Sequence, residues 1–144
     1  MMEKKILSGV EYLNQIQEAK ARVRKLKARI QNLEAMVTDN AYHMNGPIGH
    51  GQVDQDKTGT LIAAKCDAEH ELAEAEKAAA EVLDEVGTVI SRIENPDTQD
   101  VIKMRYVDGM KYDEIATGKK FSIQRVFQLR RIGIEEVERI IGSG

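Results

Sequence analysis

Val23, Leu26, Ile30, Leu33 and Val37 stand three, four, three and four residues apart. Only a helix brings such a set onto one face, and the spacing is that of a coiled-coil a/d seam. The stripe continues backwards through Ile16, Leu13, Val10 and Ile6 in looser register, so one helix is expected from about residue 3 to about residue 39. A second seam, Leu72, Ala75, Ala79, Val82, Val86, Val89 and Ile93, repeats the spacing, with Leu61 and Ala68 on its phase. Between the seams lies "NGPIGHGQVDQDKTGT", which holds four of the eleven glycines together with Pro47 and has no apolar period. Gly and Pro at that density interrupt a helix, which marks a Gly-rich flexible loop over 44–60. Two seamed helices joined by such a loop pack most simply as a long antiparallel, coiled-coil-like helical hairpin.

The charge pattern supports that pairing. Residues 1–40 carry eight Lys or Arg against five Asp or Glu, a net of +3, whereas 61–91 carry two against eight, a net of −6. The basic run "KARVRKLKAR" then flanks the acidic run "DAEHELAEAE". Exposed ion pairs contribute only ~0.2–1 kcal/mol each, so they set partner and register more than stability. A two-helix hairpin cannot cover both sides of its seam, so dimerisation or docking on the C-terminal third is expected. With 31% charged residues, 4% aromatics, no Trp and two prolines, a sandwich or barrel is excluded and the class is all-α. Cys66 stands alone, which allows neither an internal disulfide nor a CxxC zinc pair. Nothing at the N-terminus reads as a signal peptide, and the expected setting is a reducing cytoplasm. No apolar run approaches the ~20 residues that span a bilayer, so no membrane partner is expected.

The C-terminal third has a different grammar. Asn95 is a good N-cap, Pro96 suits the first helical turn, and Asp97 suits a helix N-terminus. A helix is expected from 96 to about 106, ended by "VDG" with Gly109 at the turn. "KYDEIATG" reads as a second short helix with Tyr112, Ile115 and Ala116 on one face, closed by Gly118. Lys119 and Lys120 form the turn, Ser122 is the next N-cap, and a third helix runs from 123 towards 141. A short turn between two helices with a small residue at their crossing is a helix-turn-helix, whose last helix lies in the DNA major groove. The chain thus divides into a hairpin over 1–94 and a small three-helix helix-turn-helix domain over 95–144.

The stretch "VIKMRYVDGMKYDEIATGKKFSIQRVFQLRRIGIEEV" resembles the DNA-binding region four of sigma factors. The matches are Met104, Arg105 and Tyr106 before "DGM", then Tyr112 to Ala116, then Ser122, Val126 and Leu129. The whole chain resembles the small phage transcriptional regulators of the ArpU/RinA type. That resemblance implies sequence-specific binding to promoter DNA, with RNA polymerase as a partner and late genes of bacteriophage or prophage as the target. One departure concerns the turn: such motifs place Gly four residues after the crossing-point Ala, and here that position is Lys120.

Helical geometry at ~100° per residue sorts the last helix. With Val126 at the centre of the buried side, Leu129, Gly133, Val137 and Ile140 fall near it, and Gln124, Gln128, Arg131 and Glu135 fall opposite, with Arg125 on the flank. Gln bridges adenine N6 and N7 and Arg forks onto guanine O6 and N7, so Gln124, Arg125 and Gln128 suit base edges. Lys119, Lys120 and Arg131 suit phosphates, and Ser122 opens the same surface. Ile123, Phe127, Ile134 and Ile141 widen the apolar stripe, so the hairpin or a second subunit must cover them; a homodimer is expected through this strip, the hairpin or both. Gly133 permits a close helix approach or a kink.

Catalytic chemistry is absent. Cys66 and His70 are four apart, with His43 and His50 near the loop, but no second thiolate completes a metal site. "DKTGT" lacks the glycine frame of a phosphate-binding loop, and no Ser/His/Asp set has a scaffold. Neither an enzyme nor a cofactor is expected. Two other functions fit the same layout: an interaction protein with a degenerate, non-DNA-binding helix-turn-helix, and the small subunit of a phage terminase.

Overall fold

The computed structural model describes residues 8–44 and 55–143, the side chains of 41–44 and 55 excepted. Residues 45–54 of the expected 44–60 loop, Ile6 and His50 lie outside the described residues, as does the His43 side chain. The protein is all-α, with no strand among the described residues. Helix α1 is Gly9–Met44, α2 is Gln55–Ser91, α3 is Pro96–Ile102, α4 is Tyr112–Lys119 and α5 is Ile123–Gly142. A π-helical turn, Lys103–Val107, continues α3.

Both long helices run further towards the loop than expected. Residues 55–60 are the start of α2 and not loop. Asp56 places a carboxylate in the first turn, where the helix dipole favours it, and the Thr60 hydroxyl donates to the Asp56 carbonyl at 2.8 Å. Gly59 faces open space, and one helical Gly costs only about 1 kcal/mol.

The chain groups into two compact units, 20–78 and 1–19 with 79–144. In the first, α1 and α2 are antiparallel: the Asn40 amide donates to the Thr58 hydroxyl, and Glu34 Oε1 meets Lys65 Nζ at 3.4 Å. Leu26, Ala68 and Ala75 are buried, and Val23, Ile30, Leu33, Val37, Leu61 and Leu72 are half-buried, so the 3-4 spacing locates the seam in both helices. The Lys65–Glu34 pair lies outside both expected charge runs, with its acid on the basic helix.

The second unit does not follow the expected boundary after residue 94. Tyr12, Leu13 and Ile16 of α1 share one core with Val86, Ile90, Ile93, Ile102, Tyr106 and Val137. The physical reason is area, because the three short C-terminal segments have more apolar surface than they can bury among themselves. Polar contacts reinforce the union. Gln17 Nε2 donates to the carbonyls of Tyr106 at 3.2 Å and Val107 at 2.9 Å, and Glu138 of α5 accepts from the Gly9 N–H that opens α1, at 3.0 Å. Ile134 and Ile141, half of the strip that needed a cover, pack against this core.

Helix α3 stands between two cores. Ile102 serves the one just described, and Val101, its neighbour about 100° round the helix, packs with Ile115, Val126 and Leu129 in the second. Asn95 caps α3 as its residue type requires, its side-chain oxygen accepting from the N–H groups of Asp97 at 2.9 Å and Thr98 at 3.1 Å. Helix α3 was expected to run to about 106. Instead the ladder widens after Ile102, with Asp108 N–H donating to the Lys103 carbonyl at 3.1 Å, and Gly109 at φ +71° ends it.

Candidate nucleic-acid interface

The second core is the platform of a helix-turn-helix. Ile115 of α4 and Val126 and Leu129 of α5 are buried on Val101, with Ala116, Tyr112, Met104, Met110 and Phe121 around them. Ala116 closes the end of α4: its carbonyl accepts from Phe121 N–H at 2.9 Å, while the Thr117 carbonyl accepts from Lys120 N–H at 3.3 Å. These are the paired bonds of a Schellman helix end, whose left-handed residue is usually Gly. Lys120 occupies that position, at φ 59° and ψ 40°. The position normally held by Gly thus keeps its glycine-type backbone although the residue is Lys. Lys120→Gly is expected to raise the unfolding free energy by about 0.5–1 kcal/mol, read from denaturant midpoints; an unchanged or lower midpoint would mean that Lys pays no strain there.

Ser122 caps α5, its hydroxyl accepting from Arg125 N–H at 3.1 Å. Gln124, Arg125, Gln128 and Arg131 are all exposed on α5, and Lys120 is exposed on the turn. Gln124, Gln128 and Arg131 line one open groove with Phe127, Arg130, Ile134 and Glu135. Lys119 does not join them. Its ammonium lies 2.7 Å from Asp100 Oδ2 and 3.6 Å from Asp97 Oδ1, both on α3, and the hydrogen bond to Asp100 holds it above the usual lysine range. Its place ties the end of α4 to the start of α3.

Two arginines outside the expected set brace the aromatic residues of this surface. Arg105 lies 4.2 Å above the Tyr112 ring and donates to the Met110 carbonyl at 2.9 Å. Arg130 Nε donates to the Tyr106 hydroxyl at 3.0 Å, a phenol that burial pushes above its ordinary pKa. Tyr112 in turn meets Phe127, with ring centroids 4.9 Å apart. Arg130 follows Val126 by four residues and so falls on the buried side, where a charge needs a partner; that spacing was the available signal. Cys66 and His70 are both exposed, and no group of three metal-ligating side chains occurs among the described residues. No helix among the described residues is long and apolar enough to cross a membrane.

Residues 40–138 match the family described as protein of unknown function (DUF1492). No curated protein and no solved structure matches the chain.

Proposed function

The chain belongs to the DUF1492 family, and we propose that it is a sequence-specific DNA-binding transcription regulator of phage origin, of the ArpU/RinA type. Helix α5 enters the major groove, with Gln124, Arg125 and Gln128 on base edges and Lys120 and Arg131 on phosphates. The observation that carries the reading is the placement of these side chains. All five are exposed on α5 and its turn, while the opposite side of α5 is fixed to α3 and α4 by Val126, Leu129 and Gly133. A recognition helix needs that rigidity, because a base contact is only as specific as its position. One such helix reaches few bases, so the regulator acts as a homodimer on two half-sites or beside RNA polymerase in the bacterial cytoplasm.

Mobility shift with DNA from the gene's own genomic neighbourhood tests the proposal. At low salt the wild-type chain gives a retarded band, and Gln128→Ala and Arg125→Ala each weaken binding by roughly 10- to 100-fold, the worth of one good base contact. No band, or affinity unchanged in both variants, rejects the assigned face.

A further inference from the structure

The apolar strip on α5 is split by the fold. Ile134 and Ile141 are covered by the core that α1 and α2 share with α5, but Ile123 and Phe127, one helical turn apart, stay 41% and 47% exposed. Those two are exposed apolar groups on the part of α5 that carries Gln124, Gln128 and Arg131, and Phe127 lines the same open groove as those three. An exposed Phe gains nothing from water, and this one is held in place: its ring rests on Tyr112, which Arg105 and Arg130 cover from their side.

The surroundings choose the occupant. From Lys120 to Ile134 the chain carries Lys120, Arg125, Arg130 and Arg131 and no carboxylate; the first acid after them is Glu135, in the lining of the groove. A protein helix that buried Phe127 here would face uncompensated positive charge, whereas duplex DNA brings phosphates to the cations and an apolar group to the ring. That group is the 5-methyl of thymine, which projects into the major groove and is read by apolar contact. We propose that Phe127, with Ile123 beside it, is a specificity-determining contact for thymine methyl groups. This rests on the DNA-binding reading above and adds a base preference to it.

The test uses the full chain and duplexes that it selects from a random-sequence library. Each thymine of the selected site is then replaced singly by deoxyuridine, which removes one methyl and leaves every hydrogen-bonding group. At one or two positions the wild-type affinity falls about fourfold, as expected for one methyl group withdrawn from an apolar contact. Phe127→Ala binds the thymine duplex more weakly and is indifferent to the replacement, and Phe127→Leu keeps part of the response. A selected consensus with no position sensitive to deoxyuridine overturns this inference and leaves the DNA-binding reading intact. A selection that yields no consensus overturns both. Deoxyuridine without effect, together with a fall in solution mass in Phe127→Ala, assigns the patch to a second copy of the chain and also overturns the inference.

Discussion

Gly133→Ala is expected to destabilise the protein by about 1–3 kcal/mol, although Ala is the better helix former by about 1 kcal/mol. A Cβ at this position would lie 2.4 Å from Ile102 Cγ1, 2.6 Å from Ile102 Cδ1 and 3.1 Å from Thr98 Cγ2. Neither neighbour has room to retreat, because Ile102 and Thr98 are 0% and 1% exposed. Helices α3 and α5 must therefore separate, and both cores meet at α3, so the strain reaches Val101 and the platform under the N-terminal half of α5 as well. Gly133→Val adds two more carbons to the same gap and is expected to cost more. Ile102→Ala removes the obstructing atoms at about 2–5 kcal/mol of its own. The double variant Gly133→Ala with Ile102→Ala should then be more stable than the two single costs added together, by 1 kcal/mol or more. Urea midpoints of the four proteins measure the coupling. A Gly133→Ala protein as stable as wild type would show that the α3–α5 contact yields without cost.

Legibility in the sequence followed the range of the interaction. The two seams were readable because a 3-4 spacing is a statement about one helix, and it names the buried Leu26, Ala68 and Ala75; nearer the C-terminal core the register drifts, and the buried Tyr12 and Ile90 stand beside the named positions. Asn95 and Ser122 were readable for the same reason: a cap bonds to N–H groups two or three residues ahead, and the residue type suffices. Gly133 was half readable. Its position on the buried side marked a close approach, while the identity of the helix that approaches depended on where α3 packs.

What could not be read needed distant partners. Lys119 looked like a phosphate contact because the turn is basic, and only the fold brings the N-terminus of α3, with Asp97 and Asp100, to the end of α4. The strip from Ile123 to Ile141 posed the right question, namely what covers it. The answer for Ile134 was a core to which Tyr12, Leu13 and Ile16 belong, more than a hundred residues away in sequence. The π-helical turn leaves no local mark either, since its widened ladder is steadied by Gln17 of α1 on the carbonyls of Tyr106 and Val107.

The affinity for DNA should fall steeply with salt, and the slope counts both contacts and subunits. Among the described residues Lys120 and Arg131, the two cations assigned to phosphates, are exposed with no ion pair, while Lys119 is held by Asp97 and Asp100. Two phosphate contacts per reader give a slope of log K against log salt near −1.8, and the four of a dimer near −3.6. Between 50 and 200 mM salt that is a loss of roughly 12-fold for one reader and roughly 150-fold for two. The modest net charge of −3 adds nothing to nonspecific attraction, so the slope belongs to the contacts themselves. Lys120→Ala should make it shallower by about one for each reader bound. Lys119→Met should leave the slope unchanged and lower the unfolding midpoint instead, because its charge is spent inside the fold. A slope that loses about one unit per reader in Lys119→Met as well would mean that Lys119 leaves Asp100 for phosphate when DNA binds.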